Sequence, residues 1–191
     1  MAVNQILPQG TEERRAVALA RGIARALFHR GFESLMEFPL GNGRRADVLA
    51  LDGAGRFTLV EIKTSEADFR ADSKWPEYLE YCDCFYFAVP EDFPAAILPP
   101  DHGLLVADAY GAEELRPSAE LPPLHPSRRR TQILSFALLG AGRLQRQLAG
   151  GATNVEIDER GVERLVQVPV VLRGDVVRPD QLAGLAIAGH L

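Results

Sequence analysis

Arg45-Ala46-Asp47-Val48-Leu49-Ala50-Leu51 and Arg56-Phe57-Thr58-Leu59-Val60-Glu61-Ile62-Lys63 are the two segments whose reading decides the fold. Each is apolar and β-branched enough for a strand, over 45–51 and 56–62. The intervening Asp52-Gly53-Ala54-Gly55 is a hairpin signal, because glycine supplies positive φ at no steric cost. With the loop over 52–56, Leu51 faces Phe57, Leu49 faces Leu59 and Asp47 faces Glu61. Side chains alternate along a strand, so Asp47, Glu61 and Lys63 fall on one face. Directly opposed Cβ atoms lie about 4.5–5.5 Å apart, which places two carboxylates and an ammonium around one small ion or water.

That cluster is costly if it does nothing. Leu49, Leu51, Phe57 and Leu59 share its face and call for burial, and two carboxylates at the end of a buried face repel each other and resist desolvation. A divalent cation relieves both problems. Mg²⁺ favours one or two protein carboxylates completed by water and phosphate oxygens; Mn²⁺ is the alternative ion. Asp47 and Glu61 are therefore the candidate metal ligands, and Lys63 is placed to position the attacking water or to stabilise charge on phosphate. A plainer reading stands beside this one, in which Glu61 and Lys63 are a solvated strand end and Lys63 pairs with an adjacent acid.

Around the hairpin, Ala16, Leu19, Ile23 and Leu27 recur at helical spacing and predict a helix over 11–29, with Thr11 as N-cap and Gly31 as stop. Residues 33–38 form a strand ended by Pro39. After Lys63 the chain is helix-rich, with Ser65 and Asp68 fitting a capping box and Pro76 forcing a break near Trp75 and a fresh start. The apolar runs 84–89 and 103–109 are further strands, 116–126 is a proline-bearing loop, and 128–148 is a second long helix. From 150 the alternation suggests a short β-meander with turns at Glu159-Arg160-Gly161 and Arg173-Gly174-Asp175. The expected organisation is one α/β domain over 1–149, a small mixed sheet with helices on both faces, and a β-rich extension over 150–191.

The 191 residues, 47% hydrophobic and 25% charged, are ordinary for a globular protein. No run approaches the roughly 18 apolar residues of a membrane span, and the first residues lack a secretory pattern; a cytoplasmic protein is expected. Cys82 and Cys84 are too close to favour a bridge and too few for a zinc site. The net charge of −5 argues weakly against a nucleic-acid partner. Its distribution argues otherwise, since 126–149 holds five arginines and no acid.

The longer wording around the hairpin, GRRADVLAL, VEIKTSEADFRADSKWPEY and CDCFYFAVP, resembles the MmcB-like DNA repair proteins over roughly residues 11–140. The order of elements resembles the wider PD-(D/E)XK nuclease superfamily. The resemblance implies a restriction-endonuclease-like mixed β-sheet flanked by helices, and divalent-metal hydrolysis of DNA phosphodiesters in repair. Asp47 matches the motif aspartate, Glu61 the second acid and Lys63 the lysine, while Ala46 stands where the superfamily motif has proline. It also directs attention to Glu12 and Glu13 on the first helix, or Glu37 on the first strand, as a further acid.

Candidate DNA contacts are Arg44 and Arg45 before Asp47, Lys74, Trp75 and Tyr78 after the Glu-x-Lys strand, and Arg128, Arg129 and Arg130 at the start of the last helix. Trp75 as a packing anchor and the arginines as a solvated face are the competing readings. The leading expectation is a Mg²⁺- or Mn²⁺-dependent deoxyribonuclease with DNA and other repair proteins as partners. The alternatives are a catalytically inactive binding module on the same fold, docking DNA or a protein, and an enzyme acting on RNA.

Overall fold

The computed structural model describes residues 9–149, 155–157 and 163–165. A six-stranded mixed sheet in sequence order organises the first unit: β1 (Glu33–Pro39), β2 (Arg45–Leu51), β3 (Phe57–Ile62), β4 (Cys84–Val89), β5 (Gly103–Ala107) and β6 (Ala112–Arg116). Strands β1–β3 form an antiparallel meander, β3–β4 and β4–β5 are parallel, and β6 closes the far edge antiparallel. The hairpin has the register read from sequence, with Leu51 opposite Phe57 and Leu49 opposite Leu59. Its turn is held by Asp52, whose Oδ1 accepts the Ala54 and Arg56 N–H groups at 2.9 and 2.8 Å. Of its two glycines only Gly55 uses the left-handed region, at φ +81°.

Alternation sends the two sides of these strands into two cores. Val48, Ala50, Val60, Ile62 and Ala88 meet Leu19, Ala20, Ile23 and Leu27 of α1 (Gln9–His29). This helix begins two residues before the expected start, so Thr11 lies within its first turn rather than capping it. It ends in a Schellman arrangement: Gly31 at φ +83° donates to the Phe28 carbonyl, and Phe32 donates to Leu27. On the other side, Leu49, Phe57, Leu59, Phe85 and Phe87 pack with Phe136 of α3 (Pro126–Leu148) and with Tyr78 and Tyr81 of a 3-10 helix (Trp75–Tyr81). Strand β4, flanked on both edges and covered on both faces, carries the continuous apolar run that such a position requires.

Between β3 and β4 the helix-rich stretch resolves into α2 (Glu66–Ala71) and the 3-10 helix, with Pro76 in the latter's first turn. Ser65 caps α2 by accepting the Asp68 N–H at 3.2 Å. The chain divides into units Met1–Ala141 and Gly142–Leu191, with the division inside α3. In the second unit β7 (Val155–Ile157) pairs antiparallel with β8 (Glu163–Leu165). Both expected turns of the meander lie outside the described residues. No described helix is long and apolar enough to cross a membrane.

Candidate active site

The β2–β3 ladder runs as far as Val48–Val60 and then parts. Past that point the Ile62 N–H donates not to β2 backbone but to Asp47 Oδ2, at 2.8 Å. The next amide, Lys63 N–H, donates the other way, to Ala88 O of β4 at 2.9 Å. The end of β3 is thus pinned on both edges, one of them by the side chain of Asp47, while Glu61 stays in register with Phe87.

Glu61 and Lys63 are buried, at 6% and 3% exposure, and Asp47 is half-buried. Lys63 Nζ donates to Glu61 Oε1 at 3.0 Å and to Asp72 Oδ2 at 2.6 Å. Asp72, at the end of α2, is fixed by the Lys74 N–H donating to its Oδ1 at 2.8 Å. The other oxygen of Glu61, Oε2, is buried and accepts no hydrogen bond within the described residues. An unpartnered buried carboxylate oxygen is expensive.

The electrostatics follow from burial and from the excess of acids. Burial first, and then the charge of Asp47, push the Glu61 carboxyl up to about 8. Burial also raises Asp47 to about 6, against the opposing pull of its hydrogen bond from Ile62 and of Lys63. Burial alone would lower Lys63, yet Glu61 and Asp72 more than reverse it and hold the ammonium charged above the usual lysine range. Tyr78, buried beside the cluster, has its phenol pushed up to about 12 by burial and by Glu61, Asp72 and Asp47.

The fit to a divalent ion can be judged on these groups. Among the described residues no cluster of three or more His, Cys, Asp or Glu is placed to hold a metal by itself. Two carboxylates with one orphaned oxygen instead suit an ion that keeps waters and takes substrate oxygens, as Mg²⁺ and Mn²⁺ do. With Asp72 counted, three carboxylates face one ammonium.

The other candidates are placed as follows. Glu37, on β1, has a left-handed backbone at φ +53° and pairs outward with Arg45, while its charge still reaches Asp47. Glu12 and Glu13 are in the first turns of α1. Arg44 forms a fork with Glu77, Nε and Nη2 each 2.9 Å from a carboxylate oxygen. Lys74 is exposed. Trp75 is half-buried, its ring centroid 5.2 Å from that of Phe87 and 5.0 Å from His102, an anchor of the helix on the sheet. Arg128 lies 4.8 Å over the Tyr81 ring. Arg129 turns inward to Asp83, at 2.6 and 2.8 Å, and to the Gly55 carbonyl at 2.7 Å. Arg130 is exposed. Sequence reasoning gave Asp72 no role; its partnership with Lys63 depends on how α2 stops, which residue spacing does not encode.

Fold and site together define an α/β protein whose mixed sheet gathers buried carboxylates and a lysine at the end of a hairpin. The chain belongs to the family described as DNA repair protein MmcB-like, which it matches over residues 3–150. Among solved structures it is similar to the SPO1766 protein of unknown function from Silicibacter pomeroyi, at 43% identity and a TM-score of 0.69, over 78% of this chain and 98% of that one. No curated protein matches it.

Proposed function

We propose that the protein is a divalent-metal-dependent deoxyribonuclease of the PD-(D/E)XK type acting in DNA repair. The observation that carries this reading is the orphaned, buried Oε2 of Glu61 in a cluster with more carboxylates than cations. That oxygen has no hydrogen-bond partner among the described residues, and a hard cation would supply one. Asp47 and Glu61 would hold Mg²⁺ or Mn²⁺, which when bound supplies charge stabilisation at the phosphate and a more acidic water. Asp47 is oriented for this by the Ile62 N–H, and Asp72 holds the Lys63 ammonium against Glu61. Lys63, kept charged, donates to the attacking water or to a non-bridging phosphate oxygen and gives up no proton of its own. Membership of a family of DNA repair proteins supports a place in DNA repair.

The test is incubation of single-stranded, duplex and branched DNA with the protein in Mn²⁺ and in EDTA. Metal-dependent cleavage is expected, lost by a factor of about 100 or more in Asp47→Ala and Lys63→Ala, with both variants shown to be folded by circular dichroism. Cleavage that persists in both variants, or a wild-type protein that cuts none of these substrates or RNA, overturns the reading. DNA binding that is indifferent to both substitutions and to chelator would leave the protein as a binding module.

A further inference from the structure

A groove of about 500 Å³, part apolar and part polar, opens beside the β1–β2 turn. Leu40 and Gly41 of that turn form one wall, Tyr81 of the 3-10 helix the floor, and a flank of α3 the other wall. On that flank Ser127, Thr131 and Ser135 recur every four residues and therefore stand in a row. Arg128 lies over Tyr81 and engages Glu80 through Nη1, one of its three nitrogens, at 2.9 Å to the carbonyl and 3.1 Å to the carboxylate. Buried Gln132 donates to the Tyr81 carbonyl at 2.7 Å and so locks the floor to the wall. Ser127 Oγ lies 2.7 Å from His125 Nδ1.

Charge separates this groove from the rest of the surface. In a chain of net charge −5, its lining has one arginine, paired at its edge with Glu80, four hydroxyls counting that of Tyr81, and no carboxylate of its own among the described residues. The concavities near the β5–β6 turn, by contrast, are lined by Glu91, Asp92, Asp108 and Glu113, with Arg15 as their cation. Two elements that line the groove also carry or adjoin the acidic cluster. Side chains three apart eclipse on a 3-10 helix, with a rise of about 6 Å, so Tyr81 in the groove and Tyr78 beside Glu61 lie on one face. The turn that forms the opposite wall runs directly into β2 and Asp47.

We propose that this groove holds a segment of single-stranded DNA whose next phosphate lies at Asp47 and Glu61. The choice of ligand rests on the nuclease reading; the groove's chemistry sets the rest. Hydroxyls and arginine serve sugar–phosphate contacts, and the Arg128 plane offers a base a stacking surface. Pockets of about 300–1,000 Å³ enclose a drug-sized molecule, which is room for a nucleotide or two and not for a duplex.

The experiment is fluorescence anisotropy with a labelled oligothymidylate of about 12 nucleotides in EDTA, so that binding is read without cleavage. Thr131→Asp puts a carboxylate in the row and should weaken binding about tenfold or more. Ala137→Asp, the same charge change on the opposite, exposed flank of α3, should change it less than about twofold. Thr131→Val, which keeps the shape, should weaken it about two- to threefold, and Arg128→Gln should reduce the salt slope by about 0.7. Equal effects of Thr131→Asp and Ala137→Asp, tighter binding of a duplex of the same sequence, or no binding by the wild type would each overturn the proposal. Binding with these effects but no cleavage in Mn²⁺ sinks the nuclease reading and leaves the groove; cleavage without them sinks the groove alone.

Discussion

A cation held by Asp47 and Glu61 should stabilise the fold, and the size of the effect can be worked out. Asp47, Glu61 and Asp72 carry three negative charges when ionised, Lys63 one positive, so the cluster stands at −2 and a single divalent ion neutralises it. Glu61 Oε2 would at the same time gain its missing partner. At about 100 times Kd, a ligand that binds only the folded state contributes about 2.7 kcal/mol. A domain of this size moves roughly 3 °C per kcal/mol, so the melting temperature should rise by about 8 °C.

Proton linkage sharpens the prediction. A Glu61 carboxyl raised to about 8 must release its proton to bind metal, and below about 6 Asp47 must do so too. Apparent affinity should then fall about tenfold per pH unit from 8 to 6 and about a hundredfold per unit below that. The assay is thermal melting followed by circular dichroism in EDTA, in MnCl₂ and in NaCl at matched ionic strength. Wild type, Asp47→Asn and Glu61→Gln are compared across that pH range. A rise in wild type no larger than that in NaCl, or an equal rise in Asp47→Asn, would refute the reasoning, because the charge and the orphaned oxygen would then have another use.

Three further outcomes follow from other parts of the structure. In EDTA, Asp47 and Glu61 bind protons more tightly folded than unfolded, so the native state holds more protons between about pH 4 and 8 and stability should fall as pH rises through that window; urea midpoints that hold steady or rise would contradict it. Arg129→Met removes the bidentate partner of Asp83, whose Oδ2 also accepts the Phe57 N–H at 2.7 Å, and should cost about 3 kcal/mol in urea unfolding; a cost under about 1 kcal/mol would return Arg129 to the surface contacts. Gly22→Ala puts a methyl 2.0 Å from the Asp108 carbonyl where α1 meets the β5–β6 turn, and should lower stability by about 2 kcal/mol or more, read the same way, whereas a neutral result would mean that the turn yields.

The parts of this protein that can be read from its sequence are those set by local chemistry, and the rest depends on distant partners. Asp52 and Gly55 fix the hairpin within five residues, so its register was legible as far as Val48 opposite Val60. The parting of that ladder was not, because it requires the Asp47 side chain to take the Ile62 N–H. Strand β6, Ala112–Arg116, was missed altogether: it is an edge strand with none of its five residues buried, two of them exposed, and no apolar run, and it owes its form to β5. The triple arginine looked uniform, yet Asp83, 46 residues away, draws Arg129 inward while Arg128 stays on Tyr81. The acidic cluster shows why a site can be legible before its contacts are. An apolar strand that ends in Glu-x-Lys opposite an aspartate predicts buried charge from its pattern alone. Burial is then what raises the Glu61 carboxyl and leaves its second oxygen without a partner. An account of the cluster as a stabilising ion network has to explain that oxygen and the excess of acid over amine, and the melting experiment in EDTA and Mn²⁺ decides between the two.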